Sequence, residues 1–570
     1  MHRAAARGLV VLATMGLGAV LAQCSGSEEP AGPPAPAKDA GPPDTGPPDA
    51  GGAGAGGSGG VQLAPGEVAT EKADGEEGIE LTLATPSGAE RFIAVLFAAN
   101  VKNDHGYAYT ATVAAGPAEG AGGGVASRSA PAPSGAAADV RAGAAYSRGC
   151  VRRMERALGA IAKLPPGRGM VPMDGDTPPV EGEKRDLEIA DGNGVVHVIS
   201  AEAVRVTDRL VVYLDRTTPG SGDIAPADLD AITAGFGEIV LPRERIFFGQ
   251  ESDVNGDGHV SVLFSPLTYE VAVAYFNPWD LITDPEIQPA GEVTNNQEIL
   301  YLTPPAVIPK PYNTPAAIIE TMAHEFQHAI YFYRKYMMND QLWKAENVYI
   351  TEGLSALAQD LSGYQAGNFY VTKHALDNVN DFSAAAAFGG SSGYDPKNDG
   401  ALRGGAYLFL RYLYDQAGGD KLDADGKVVD TEHGAAWLQG FVGSPEVGWK
   451  NIEASTGRTR DELLADWYAA MMIDDRGPEG ADLSPDPVFN YLPVAKCPLT
   501  DRVRGTSMFL PFHGQQMNGP AVADIADADG TVLGGGADYL SFAAAEAGET
   551  VLTVSAEAAA DLVVRVVRVE

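Results

Sequence analysis

The sequence predicts an α+β chain. A central unit pairs a mixed sheet with a buried helix that carries histidines, and small β units flank it on both sides. Three observations predict this. Asn313–Tyr336 reads as a helix that is apolar nearly all round yet contains His324, Glu325 and His328. Ahead of it, Gly194–Ser200, Leu210–Leu214, Val260–Phe264 and Gln297–Leu302 read as strands, with a helix over Ala225–Phe236 between them. Residues 61–115 and 488–570 are rich in alternating and β-branched runs broken by Gly, Pro and Asn.

The central helix is signalled at its start. Asn313 or Thr314 can cap it, and Pro315 fits the first helical position. Ile318, Ile319, Met322, Phe326, Ile330 and Phe332 make it a core helix. Histidine is scarce, 9 in 570 residues, yet two fall in this one helix. Burying polar groups without partners costs on the order of several kcal/mol, so their presence calls for a reason. Residues four apart lie on one helix face, so His324 and His328 can aim at a single ion. Glu325 stands beside the first ligand, where its carboxylate can reach a metal-bound water. His324-Glu325-Phe326-Gln327-His328 is thus the H-E-x-x-H arrangement of zinc peptidases, with two ligands and a general base.

A catalytic zinc takes three protein ligands and keeps one position open. Tyr349–Leu361 reads as a second helix with an apolar stripe at Leu354, Leu357, Ala358 and Leu361. Enough chain separates it from His328 to turn near Met338–Asp340 and return antiparallel, so Glu352 could face the imidazoles. The competing reading of Glu352 is an acidic residue in a first helical turn, favoured by the helix dipole.

The stretches HEFQHAIYF (324–332) and ITEGLSALAQDL (350–361) resemble the hyicolysin family of bacterial neutral metallopeptidases, which are gluzincins of the thermolysin-like kind. Asp253–Pro266, Asn295–Leu302 and Gly404–Asp415 are similar to its neighbouring segments, so the likeness spans roughly 185–475. The resemblance implies a zincin-like domain over 150–480, zinc on His324, His328 and Glu352, and Glu325 as base. The chain departs from the thermolysin type at Ala356, where an acid would orient a ligand histidine. Ser355 or Asp360 is the expected substitute.

At 570 residues the chain is too long for one core. Its net charge of −36 argues against nucleic acid and anionic membranes as partners and suits an externally exposed protein. Residues 1–23 read as a secretory signal: Arg3 and Arg7, then the apolar run Gly8–Leu21. Leu21-Ala22-Gln23-Cys24 resembles a lipobox, making Cys24 a lipidation site and a lipid anchor the only membrane contact; ordinary cleavage near Ala22 is the alternative. Residues 24–60 form a Gly/Pro-rich tether, 61–115 a small β domain, and 116–149 a Gly/Ala-rich linker.

Cys150–Leu164 reads as an amphipathic helix ended by Pro165-Pro166. Asp253, Asn255 and Asp257 alternate ahead of a Gly, which suits either a short calcium loop or an Asx-rich turn; Phe264 at the twelfth position excludes a full EF-hand. Gln297–Leu302 is the candidate edge strand beside the metal. Phe382–Asp399 is a small-residue loop, and Gly405–Gln416 and Thr459–Met472 read as helices, the latter capped by Thr459. An oxyanion-stabilising donor is expected on chemical grounds, with His374, Tyr370, Tyr407 and His433 as candidates. Residues 488–570 form a C-terminal β domain. In an oxidising compartment Cys150 and Cys497 either bridge or remain separate thiols.

These readings converge on an exported zinc endopeptidase whose zinc-bound water is activated by Glu325 and whose partner is a protein or peptide substrate. The alternative is a catalytically silent surface lipoprotein that keeps its metal site.

Overall fold

Period-two alternation decides which face each strand buries. The computed structural model describes residues 60–73, 78–101, 105–115, 175–286, 288, 291–310, 312–339, 346–381, 383, 399–496, 502–512, 515–527 and 529–570. The leader at 1–23, Cys24, the tether to residue 59, the linker at 116–149, the Cys150–Leu164 helix, Cys497 and most of the Phe382–Asp399 loop lie outside the described residues.

In chain order, β1 (Val68–Lys72), β2 (Ile79–Thr85), β3 (Arg91–Ala98) and β4 (Gly106–Ala115) come first. β5 (Lys184–Ala190), β6 (Val196–Val206) and β7 (Leu210–Asp215) precede α1 (Pro226–Ala234), which runs through a π-helical turn into α2 (Leu241–Phe248). β8 (Val260–Phe264), α3 (Pro266–Val271), β9 (Ala274–Phe276) and β10 (Ile299–Leu302) lead to α4 (Pro315–Phe332) and α5 (Val348–Ser362). α6 (Asn368–Asp377), α7 (Asp399–Gln416), α8 (Gly434–Gly443), α9 (Trp449–Thr456) and α10 (Arg460–Ile473) follow. The short pairs β11 (Ala495–Lys496) with β12 (Val503–Arg504) and β13 (Pro511–Phe512) with β14 (Gln515–Gln516) come next. β15 (Ala523–Asp524), β16 (Asp529–Leu533), β17 (Ala537–Ala543), β18 (Gly548–Ala556) and β19 (Leu562–Arg568) end the chain.

The central sheet is mixed, in the order β5-β6-β7-β8-β10-β9. β7, β8 and β10 run parallel, and β9 closes the sheet antiparallel to β10. Leu210, Val212, Val262, Leu300 and Leu302 face the helical core, while Val211, Tyr213, Leu263, Tyr275 and Tyr301 pack on the opposite face. The expected edge strand is therefore displaced. Residues 299–302 lie inside the sheet, and the edge is Ala274–Phe276, a run too short for an alternation pattern to reveal.

The two flanking β segments are not separate units. β3 sits between β17 and β19, and β18 sits between β2 and β4, so strands from before and after the helical unit interleave in both sheets. A five-stranded sheet (β1-β19-β3-β17-β15) and a four-stranded one (β16-β4-β18-β2) enclose Leu81, Phe92, Leu96, Tyr107, Leu552 and Val564. β3 is buried from Phe92 to Ala98 because both of its faces are covered. Its far face, with Ile93, Val95 and Phe97, joins the helical core. Tyr539 donates to the Tyr468 carbonyl at 2.8 Å and Tyr468 to the Gly535 carbonyl at 3.0 Å, which docks the sandwich on α10. α10 opens on Thr459, the cap its sequence predicts, and Glu462 completes it as a capping box.

Asp280, fully buried after β9, accepts from the Asn295 amide at 2.6 Å, from the Tyr301 hydroxyl at 2.8 Å and from Asn277 at 3.0 Å. Burial pushes its carboxyl up to about 7 from 3.8. Between those values the folded state holds a proton that the unfolded chain has released, so stability falls as pH rises through the window. Asp280→Asn is expected to flatten the pH dependence of the urea midpoint between about 4 and 7; an unchanged slope would show that Asp280 does not carry it.

Candidate metal centre

α4 begins where its sequence says it should. Thr314 Oγ1 accepts from the Ala317 amide at 3.3 Å, and Pro315 opens the first turn. From Met322 to Phe332 every residue of the helix is buried. α5 is capped by Asn347, whose Oδ1 accepts from the Tyr349 amide at 2.8 Å, and it stops at Gly363 with φ +78°. The two helices pack antiparallel, since Tyr331 meets Glu346, His328 meets Ser355 and His324 meets Gln359. On the other side of α5, a Cβ on Gly353 would lie 2.9 Å from the Ala406 carbonyl oxygen. α7 therefore comes into contact directly beside Glu352.

This packing brings His324, His328 and Glu352 together. Their donor atoms all lie within 4.8 Å of one another, and the three can hold a metal ion. His324 Nε2 is 3.4 Å from Glu352 Oε2, and His328 Nε2 is 3.8 Å from Glu352 Oε1. The imidazole rings stand nearly perpendicular, at 84°. His324 Nε2 and Glu352 Oε2 are both buried without a well-formed hydrogen bond, the condition of ligand atoms aimed at a common point. Glu325, 1% exposed, accepts at Oε2 from the Phe276 amide of the edge strand at 2.9 Å.

Charge is distributed unevenly over these groups. Burial pulls His324 down, but the Glu352 carboxylate 3.4 Å away outweighs it and leaves the imidazole above its usual 6.5. Burial and then the neighbouring His324 push His328 down to about 3. Burial would raise Glu352, yet the Arg403 guanidinium and His324 hold it well below the carboxylate range.

The groups that orient the ligands are partly the expected ones. Ser355 Oγ lies 3.1 Å from His328 Nδ1 and 2.8 Å from Gln327 Oε1. Asp360 is occupied elsewhere: it accepts from Arg411 at 2.8 Å, from Tyr407 at 3.0 Å and from the Gly505 amide at 2.6 Å, so it braces α5 against α7. His324 Nδ1 is 3.5 Å from Gln359 Oε1, a partner the sequence reading missed. Gln359 sits one turn beyond Ser355 on the same helix face, which was its available signal. Arg403, with Nη2 3.1 Å from Glu352 Oε2, was missed as well. The sequence places a helix from Gly405, whereas α7 starts at Asp399 and carries Arg403 on its first turns.

A cleft of ≈ 380 Å³ opens at this centre. His324, Glu352 and Arg403 line it together with Glu320, Gln359 and apolar walls that include Leu302, Ile308 and Ile318. The four candidate oxyanion donors do not line it. Tyr407 is fully buried on Asp360, His433 pairs with Asp430 at 2.8 Å on the surface, His374 meets Asn378 at 3.2 Å, and Tyr370 is exposed. The loop of Asp253, Asn255 and Asp257 lies apart from the cleft. Each of its side chains accepts a backbone N–H of its own loop, from Gly258, Asp257 and His259 respectively, which is the Asx-turn arrangement.

Gln359→Ala and Ser355→Ala are each expected to weaken metal binding by about 10–100-fold, because an imidazole without its partner loses orientation and basicity. Competition against a chelating dye measures this, and unaltered affinity in both would remove their orienting role. In comparisons with known proteins, no family model matches the chain and no curated protein matches it.

Proposed function

We propose that the chain is a zinc endopeptidase with a zincin-like catalytic unit of the gluzincin kind. The observation that carries this reading is the convergence of His324, His328 and Glu352 to within 4.8 Å, with Glu325 on the same buried helix. Two nitrogens and one carboxylate oxygen form a donor set suited to zinc, and His324 Nε2 and Glu352 Oε2 are buried without a well-formed hydrogen bond. Zinc, when bound, polarises a carbonyl as a Lewis acid and brings the pKa of a water toward about 7.

The chain's own groups do the rest. Glu325 takes a proton from the attacking water and delivers it to the leaving amine. β9, the last strand of the mixed sheet, offers backbone for an extended substrate. The apolar walls of the cleft accept an apolar side chain and exclude water from it. On the sequence reading of residues 1–24, the enzyme is exported, held at a surface by lipid on Cys24, and acts on extracellular proteins.

A second reading rests on Glu325 itself. It is 1% exposed, with Oε2 engaged by the Phe276 amide, which suits a metal-binding surface lipoprotein without catalysis. One comparison separates the two. The zinc-loaded wild type is expected to digest unfolded casein, and Glu325→Gln to keep its zinc while losing about 10²–10⁴-fold in rate. Zinc bound by both proteins with cleavage by neither would establish the silent reading. Absence of zinc from the wild type would end both.

A further inference from the structure

We propose that Arg403 is a catalytic residue, the donor that meets the negative charge developing on the scissile carbonyl oxygen. The proposal rests on the peptidase reading and identifies the donor that reading requires. None of the candidates named from sequence lines the cleft. Arg403 is the only Lys or Arg among the described residues lining it. Its side chain is 19% exposed, and Nη2 lies 3.1 Å from Glu352 Oε2, so the guanidinium stands directly against a ligand group. A guanidinium has five N–H donors in a fixed fork, which lets it serve Glu352 and a second acceptor at once.

A site built only to hold metal loses by setting a guanidinium against a ligand group, because the guanidinium and the ion repel. Nor is Arg403 needed to set the helix register, since Arg411 already locks α7 to Asp360 of α5 at 2.8 Å. The backbone beside it is pinned as well: a Cβ on Gly404 would lie 1.9 Å from the Val371 carbonyl oxygen, so α7 is seated hard against α6. A donor fixed before reaction is what makes such stabilisation effective.

In the step itself, a water oxygen forms a C–O bond to the carbonyl carbon and the π pair moves onto the carbonyl oxygen, where Arg403 meets it. The water's proton goes to Glu325. The pair then returns, the C–N bond breaks, and Glu325 gives the proton to the leaving nitrogen. Arg403 transfers no proton.

The test uses the full zinc-loaded chain, a fluorogenic peptide, and a phosphinic peptide whose anionic oxygens mimic the tetrahedral state. Arg403→Ala is expected to lower kcat by about 10²–10³-fold with KM changed little, to weaken the phosphinic peptide by a similar factor, and to bind zinc as well as wild type or better. Guanidinium ion in the buffer should restore part of the rate. Full kcat in Arg403→Ala overturns the proposal, as does a rise in KM alone. Loss of zinc in parallel with activity, with both recovered in Arg403→Lys, overturns it too, because Arg403 would then only position Glu352. Should Arg403→Ala not fold, Arg403→Lys decides, since a charge without the fork should keep zinc and lose kcat. A wild type that holds zinc and cuts nothing defeats the peptidase reading instead. Phosphinic peptide binding left unchanged by Arg403→Ala then overturns the role of Arg403 as well.

Discussion

A single buried carboxylate sets the terms for the centre of this protein. α4 can lie in the core only if its polar face is closed, and Glu352 closes it. Two imidazoles, one raised and one lowered in pKa, share that carboxylate with a guanidinium. Each would be costly to bury alone. The placement of Glu352 in turn depends on α5 being gripped from both sides. α4 packs antiparallel against it, and α7 approaches so closely that position 353 has no room for a side chain beyond hydrogen.

The β-sandwich extends this constraint to the chain ends. β3 finds neither of its neighbours until residues after Gly536 are present, because β17 and β19 flank it. The sandwich therefore assembles from segments on either side of the helical unit and rests on α10 through Tyr468 and Tyr539. Pairings of such long sequence separation form late and slowly. The helical unit is bracketed by its own termini rather than flanked by independent modules.

Much of this was legible in the sequence, for identifiable reasons. α4 was readable because capping, period and motif agree over Thr314–Phe332. Strands such as Val260–Phe264 matched their expected limits because both faces are apolar and Asx turns bound them. Sheet partnership was not readable. Alternation tells which face of Tyr539–Phe542 is buried but not that its neighbour is β3, hundreds of residues away. β9 escaped because three residues hold no period, and with it the true edge of the sheet. At the centre, the histidines and Glu352 were legible through spacing and ligand count. Gln359 and Arg403 were not, because each takes its role from a neighbouring helix.

The pairing of α5 with α7 shows how one device serves two purposes. Glu352 and Asp360 are spaced along α5 as Arg403 and Arg411 are along α7, and the two ion pairs form in the same register. The pair at Asp360 is sealed: Arg411 also binds Asp415 at 2.8 Å, and Tyr407 and the Gly505 amide complete the carboxylate. Every charge there is answered within the protein, so removing one partner would leave another buried and uncompensated. The pair at Glu352 opens on the cleft and shares its carboxylate with two histidines. With register held by the sealed pair, the open one stands where His324, His328 and Glu352 come within 4.8 Å of one another and can hold a metal ion.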